Sequence, residues 1–272
     1  MKKLLIILCF VFLLLIPSVS CLPAFELDGK LHEVLELLPG SSFQGIIALR
    51  NTSDEKEVVE ITQSDYFFNA EGKVQFGKKG TDPRSNAVWI EIEPTNLVLE
   101  PGAKATVRYQ VKVPRGLNLK GTYWSLINFD HRIEEETLTE AERSKENETA
   151  MSVEPLLGFS FQVITNIGKS GNVAMDMKNP KLVKTGKEFI FSIDIHCVGE
   201  IMLNVIPWVE VFNADGEKVL SANGMKSTIL PGCSFRHNFE LGTMDKGDYK
   251  LLLIADCGED QVFGGQYVLE IE

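Results

Sequence analysis

The sequence predicts an all-β protein built from two sandwich domains. Short runs of alternating apolar and polar residues recur along the chain, and clusters of Gly, Pro, Asn and Asp separate them. Helical periodicity is almost absent after residue 38. Two breaks in composition, one acidic and one rich in glycine, divide the chain into two parts of ordinary domain size.

The clearest strand is Thr106–Val113. Its odd-numbered residues from Val107 to Val113 are apolar, and the residues between them are polar. Since successive side chains of a strand point to opposite faces, this alternation is typical of a half-buried strand. Turn residues precede it at Pro101-Gly102 and follow it at Pro114.

Weaker patterns of the same kind predict further strands in the first half of the chain. The segments Asn69–Gly72 and Asn213–Gly216 have the composition of hairpin tips. The further strands are Gly45–Arg50, Val58–Ile61, Val88–Ile92, Asn96–Leu99, Tyr123–Phe129 and Leu157–Val163.

The two breaks place the domain boundaries. Asp130–Glu148 holds eight acids against three bases and few large apolar residues, which predicts an exposed acidic loop over 130–150. Asn166–Gly171 is polar and rich in glycine, as a linker would be. We therefore predict an N-terminal domain over 25–168, with the acidic loop before its last strand, and a C-terminal domain over 169–272.

The second domain has the pattern of an immunoglobulin-like sandwich. Alternate residues from Phe189 to Cys197 are apolar, and so are those from Tyr249 to Cys257, with Trp208 between the two runs. Cys, then Trp, then Cys is the spacing of that fold, in which both cysteines lie on facing sheets.

A disulfide between Cys197 and Cys257 is one reading of this pattern. It would close a long loop and add roughly 3 to 4 kcal/mol of stability in the chain-entropy model. The other reading is two buried free thiols, because sequence alone does not fix the pairing. If the bridge forms, Cys233 is left unpaired unless Cys21 is its partner.

The N-terminus has the layout of a secretory signal peptide over residues 1–20. Lys2 and Lys3 precede thirteen apolar residues, Leu4–Ile16, and small residues follow. Cleavage after Ser20 predicts an exported protein, in the periplasm or at the cell surface. It also places Cys21 first, where a bacterial lipoprotein carries its acylated cysteine, so Cys21 is either a lipid anchor or an ordinary mature N-terminus. Any membrane contact is expected through that lipid.

Composition and motifs exclude several kinds of function. The net charge of −11 becomes −13 without the signal peptide, and so acidic a chain would repel nucleic acid. Motifs of hydrolases, metalloproteases and redox dithiols are missing. Alternation puts His196 and Cys197 on opposite faces, which argues against a metal site. Asp65 is interpreted as a solvated strand-edge charge, and Trp89 and Trp124 as core aromatics. We expect neither enzymatic activity nor a cofactor.

The chain resembles periplasmic pilus-assembly chaperones, a family of two immunoglobulin-like domains, over nearly the whole mature sequence. It also resembles uncharacterised exported two-domain proteins and the WxL-interacting surface proteins that bind peptidoglycan. The segments that carry the resemblance are Gly40–Ser53, Asp65-Tyr66, Asn69–Gly72, Pro83–Ser85, Trp89–Pro94, Leu99–Tyr109, Val209–Gly216, Leu230–Gly232 and Lys246–Tyr249.

The chaperone resemblance implies a binding strand. Members of the family lend the last strand of their first domain to a subunit that lacks one, a form of β-augmentation. The residues matching that donor strand are Leu157, Phe159, Phe161 and Val163. An ordinary core strand would show the same alternation.

The same resemblance implies a basic cleft that binds the terminal carboxylate of the subunit. Leu156–Thr165 contains no Lys or Arg, and among the early strands Lys30 or Arg50 would have to serve. The predicted function is therefore the capture of partner strands during pilus or surface-structure assembly. The alternative is an envelope module that binds peptidoglycan or another surface protein. The identity of the partner and the oligomeric state stay open.

Overall fold

The computed structural model describes residues 25–116, 118–132, 158–258 and 261–272. These residues form eighteen strands and one short 3-10 helix, Ala87–Trp89. The ten strands of the first part are β1 Phe25–Asp28, β2 His32–Leu37, β3 Ser42–Asn51, β4 Glu57–Phe68, β5 Val74–Lys78, β6 Ile90–Glu93, β7 Asn96–Leu99, β8 Lys104–Lys112, β9 Gly121–His131 and β10 Phe159–Ile167. The eight strands of the second part are β11 Met175–Thr185, β12 Glu188–Cys197, β13 Leu203–Phe212, β14 Lys218–Asn223, β15 Ser227–Ile229, β16 Ser234–Gly242, β17 Gly247–Asp256 and β18 Val262–Ile271.

The fold is two immunoglobulin-like β-sandwiches, as predicted. In the first, a sheet ordered β1-β3-β8-β6 faces a sheet ordered β2-β10-β9-β4-β5, to which β7 adds beside β4. In the second, β11-β12-β16 faces β14-β13-β17-β18, with β15 beside β13. The predicted boundary between residues 168 and 169 lies in the connection from β10 to β11.

The alternating patterns form the two cores. Val107 and Val111 of β8 are fully buried, as the sequence predicts for this strand. In the second sandwich the apolar faces of β12 and β17 meet, with Ile193 and Ile195 fully buried. Both predicted hairpin tips are turns between paired strands, β4–β5 and β13–β14. Trp89 and Trp124 are buried, in agreement with their predicted core positions.

One local prediction, a strand, is wrong. The segment Val88–Ile92 is not one strand, because Trp89 N donates to Asn86 O at 2.9 Å and closes a helical turn before β6. Trp208 is not a core residue of the second sandwich. Val205 and Val209 are fully buried, so Trp208, on the alternate face of β13, points outward.

Several predictions fall on residues outside the described part of the chain. They are the signal peptide over 1–20, the lipid site Cys21, the acidic loop beyond residue 132 and Leu157. Among the described residues, no helix is both long and apolar enough to cross a bilayer.

Candidate functional site

The first residues of β10 pair with another described strand on one side only. Its antiparallel ladder with β9 begins at Phe159, which pairs with Phe129. Its parallel ladder with β2 begins three residues later, where Gln162 pairs with His32. Within the described ranges, Phe159–Phe161 is therefore paired on the β9 side, and its other edge is open. Such an edge is a template for another extended chain.

The predicted donor side chains face the core of their own domain. Phe161 and Val163 are buried, and the Phe161 ring lies 5.8 Å from that of Tyr109. Phe159 is half-buried, with its ring 5.6 Å from that of Phe25 in an edge-to-face arrangement. In this conformation these three side chains are engaged inside the N-terminal sandwich. What β10 presents outward is its backbone edge and the alternate side chains.

Those alternate side chains line a cleft between the two sandwiches. Its volume is about 630 Å³. On the N-terminal side the wall comes from two neighbouring strands, β2 and β10, and on the C-terminal side from β13 and β15 with the residues before them. The lining residues are His32, Val34, Gln162, Ile164, Met202, Asn204, Lys226, Ser227 and Thr228.

Lys226 is a basic residue of this cleft that the sequence patterns do not single out. It is exposed and lines the cleft beside Ser227 and Thr228. Of the two lysine and arginine candidates, Lys30 pairs with Glu33 at 2.6 Å, and Arg50 lies on β3 in the other sheet, opposite Lys104. In the sequence, Lys226 appears only as a lysine two residues after Gly224, in a connection between predicted strands. Nothing in the sequence shows that this connection turns toward the first domain.

Beside the cleft, hydrogen bonds connect the two sandwiches directly; we call this contact the joint. Thr122 N donates to Glu200 O at 2.8 Å, and Met202 N donates to Thr122 Oγ1 at 3.0 Å. Gly121 has φ +70°, and a Cβ there would lie 2.1 Å from Glu200 O. The joint therefore needs glycine at this position, both for its left-handed backbone and for the close approach.

Apolar contacts and a second polar contact extend the joint. Trp124 and Ile164, from the N-terminal strands, belong to the same buried cluster as the core of the second sandwich. At the tip of the β4–β5 hairpin, Ala70 N donates to Ser234 Oγ at 3.0 Å. Arg84 donates to Lys120 O at 2.8 Å, on the side of the joint facing Glu200. The relative position of β10 and Lys226 follows from these contacts.

Asp65 anchors the loop that carries Arg84, and its interpretation as a solvated charge is wrong. It is buried and accepts hydrogen bonds from the backbone of Gly80, Thr81 and Asp82 and from Ser85 Oγ. Burial acts to raise the pKa of this carboxyl, but the hydrogen bonds outweigh it and hold the pKa below its usual range. Asp65 is thus a structural carboxylate.

Asn86, in the same loop, ties it to β9 and β10. Its side chain is fully buried, donates to Val163 O and Thr165 Oγ1 at 3.1 and 3.0 Å, and accepts from Ser125 Oγ. Because β10 forms one wall of the cleft, this loop supports the site without lining it.

Three cysteines lie in the second sandwich as free thiols. Cys197 and Cys233 are buried and Cys257 is half-buried, and the predicted bridge between Cys197 and Cys257 is not formed in this structure. Burial raises the pKa of each thiol to about 11. The bridge stays a prediction.

The thiols give a direct test. At pH 8 the thiolate fraction is small, so Cys197 and Cys233 are expected to resist alkylation in the folded protein and to react on unfolding. The measurement is mass spectrometry after iodoacetamide labelling, with and without urea and without reductant. Labelling of all three after unfolding fits free thiols. Labelling of Cys233 but of neither Cys197 nor Cys257 would instead establish the bridge.

His237 forms a polar pair with Ser227 at the edge of the cleft. The distance from Ser227 Oγ to His237 Nε2 is 3.1 Å, and burial lowers the pKa of His237 to about 4. A histidine with so low a pKa is a weak base at neutral pH. No cluster of three metal-ligating side chains occurs in the part of the chain that the structure describes.

Comparison with known proteins gives a structural likeness. No family model matches the chain, and no curated protein matches it. The structure is similar to the class 5 fimbriae chaperone CfaA, with a TM-score of 0.46, 10% identity, and 90% of this chain and 99% of that chain covered. It is also similar to the YadV chaperone (TM-score 0.42, 9% identity, 91% and 100% covered).

A third similar structure is a chain from the complex of the Salmonella enterica SafA pilin with the SafB chaperone. Its TM-score is 0.40 and its identity 12%, with 92% of this chain and 99% of that chain covered. These likenesses have low identities and TM-scores below 0.5, so the case for a function rests on this chain's own residues.

Proposed function

We propose that this is an exported, chaperone-like protein that binds an extended segment of a partner protein along the open edge of β10. The observation that carries the proposal is the late start of the β2 ladder, which leaves Phe159–Phe161 unpaired on one side within the described residues. β-Augmentation requires such an edge. The partner class is a pilin-like or surface protein.

Ser160 is the position where the partner would bond first. Gln162 N donates to Leu31 O at 2.9 Å, so the backbone groups of residue 162 face β2. Because strand geometry repeats every two residues, the N–H and C=O of Ser160 face the same side, beyond the end of β2. The Ser160 side chain is exposed and donates to Asn128 Oδ1, and within the described ranges no strand pairs with residue 160 on its outward side.

The cleft would receive the end of that segment. Val34 and Met202 offer apolar contact, and Lys226 offers a charged donor. A lysine ammonium in a partly enclosed site binds a carboxylate by a charge-assisted hydrogen bond. We propose that Lys226 binds the terminal carboxylate of the partner, the role that the chaperone resemblance assigns to a basic cleft.

The test compares two substitutions at one position. Ser160→Pro removes the outward N–H, whereas Ser160→Ala removes the side-chain hydroxyl and keeps the backbone donor. The partner is first identified by affinity capture from the envelope fraction and mass spectrometry, then purified and titrated. We expect Ser160→Pro to weaken binding at least about fivefold and Ser160→Ala to leave it nearly unchanged.

The cleft is tested in the same titration. Lys226→Glu is expected to weaken binding at least about tenfold, and Lys187→Glu, in the turn between β11 and β12, serves as the matched charge reversal. Equal affinities for the wild type, Ser160→Pro and Lys226→Glu would refute the proposal. Sedimentation with purified peptidoglycan, unaffected by either substitution, would instead favour the envelope-module function.

A further inference from the structure

Strand β18 forms a sheet edge that lacks the usual protection against pairing with another strand. β18 is ten residues long, ends the order β14-β13-β17-β18, and pairs with β17 alone in the described chain. Val262–Ile271 contains no Lys, Arg or Pro. Its valines Val262 and Val268 are 61% and 72% exposed. Natural sheet edges are usually protected by charge or proline, so this strand is an exception.

Another outer strand of the same sandwich, β11, shows the usual protection. β11 ends the facing sheet and carries Lys178, Pro180, Lys181 and Lys184, with a bulge between Lys178 and Lys181. These features hinder the approach of another strand. The contrast distinguishes β18 from β11, because β18 carries no lysine, proline or bulge.

The backbone of β18 shows which groups face outward. Cys257 N donates to Gln261 O at 2.8 Å, and Ala255 pairs with Phe263 in the same register. Odd-numbered residues of β18 therefore bond to β17, and the N–H and C=O groups of even-numbered residues from 262 to 270 point to the open side. Val262, Gly264, Gln266 and Val268 carry these outward groups.

The sequence of β18 is complementary to itself in the antiparallel direction. If two copies pair about a two-fold axis through Gly265, Val262 of one copy lies opposite Val268 of the other, and Gly264 lies opposite Gln266. The pairs formed by even-numbered residues are then hydrogen-bonded pairs. Both exposed valines gain an apolar neighbour, and the absent side chain of Gly264 leaves room for that of Gln266.

We propose that β18 is the interface through which two copies of this chain associate, independently of the β10 edge and the cleft. A two-fold interface uses the same patch on both copies, which a self-complementary strand provides. The joined sheets would run on as one, with the side chains of Trp208, Leu252 and Ile254 on its outward face in each copy.

The negative charge of both copies makes the proposed dimerisation depend on salt concentration. Each copy carries a net charge of −11, and Glu270 lies just beyond the paired valines. Repulsion between the copies is screened by salt, with a Debye length of about 10 Å at 0.1 M and about 3 Å at 1 M. Dimerisation is therefore expected to strengthen as salt is raised.

The first test is the oligomeric state of the purified protein. Analytical ultracentrifugation over a range of concentrations is expected to show a monomer–dimer equilibrium. Val268→Lys, which adds a charge next to Lys250, should weaken dimerisation at least about tenfold. Val183→Lys on β11 is the control and should leave it unchanged. A monomer at all concentrations, or a dimer that Val268→Lys does not affect, would overturn the proposal.

The second test determines which residues of the two β18 strands lie opposite each other in the dimer. The proposed pairing puts residue 262 of one copy opposite residue 268 of the other, at the Cα separation of about 5.5 Å that a disulfide can bridge. Mild oxidation of a mixture of Val262→Cys and Val268→Cys proteins should give a covalent heterodimer, and either variant alone should not. Cross-linking of Val268→Cys with itself would contradict this register.

Discussion

Replacing Asp65 with alanine is expected to lower the free energy of unfolding by about 2 to 4 kcal/mol. Three backbone N–H groups and the Ser85 hydroxyl would lose their acceptor, and a buried donor left unsatisfied costs about 1 to 3 kcal/mol. Urea unfolding followed by tryptophan fluorescence measures the change. Asp54→Ala removes an exposed carboxylate and is the control, with an expected change within about 0.5 kcal/mol.

The effect of Asp65 should depend on pH with a definite sign. Its pKa in the folded state is lower than the ordinary value of 3.8, so the folded state favours the ionised form. The stability from this carboxylate is thus complete above the unfolded-state pKa and is lost as the pH falls through the folded-state pKa. Compared with Asp65→Asn, the wild type should keep a constant advantage near neutral pH and lose it below about pH 4. An advantage that grew on acidification would refute this account.

Gly121→Ala is expected to loosen the joint between the two sandwiches. The new Cβ would collide with Glu200 O, and alanine at φ +70° carries a further backbone cost of about 1 to 2 kcal/mol. We expect a loss of at least about 3 kcal/mol in the free energy of unfolding, with weaker partner binding because β10 and Lys226 would no longer be held together. Urea unfolding and small-angle scattering report these two effects.

Gly116→Ala separates the backbone cost from the collision. Gly116 has φ +73°, nearly the value at Gly121, but a Cβ there would meet no atom within 4 Å. This control should lose about 1 to 2 kcal/mol and keep both the scattering profile and partner binding. Equal losses in the two variants would show that the contact with Glu200 O does not matter.

Alternation along the chain was enough to predict the sandwich fold, because a period of two is imposed wherever one face of a strand is buried. It does not say which of two apolar faces is the buried one. Trp208 shows the difficulty: its neighbours Val205 and Val209 occupy the core, and the tryptophan lies on the other face. The alternation of Phe159, Phe161 and Val163 predicts a binding face, and in this structure these side chains face the core of their own domain.

The surroundings of Asp65 and the position of Lys226 depend on contacts between residues far apart in the sequence. Asp65 reads as a strand-edge charge because its partners come from residues 80–85, in a loop whose return over β4 is a property of the tertiary fold. Lys226 lines a cleft formed by two domains, and its position depends on the joint at Gly121 and Thr122. Such placements depend on how distant segments pack, which local patterns do not encode.

Trp124 and Ile164 belong to the first sandwich but are buried in the core of the second, and this affects the order in which the two sandwiches fold. All strands of the first sandwich have been synthesised once residue 167 is made, and domains generally fold from the N-terminus as the chain emerges. These two side chains nevertheless belong to a buried cluster whose other members extend to Ile271. The newly formed first sandwich therefore exposes these apolar side chains until the second sandwich, as far as Ile271, has folded against them.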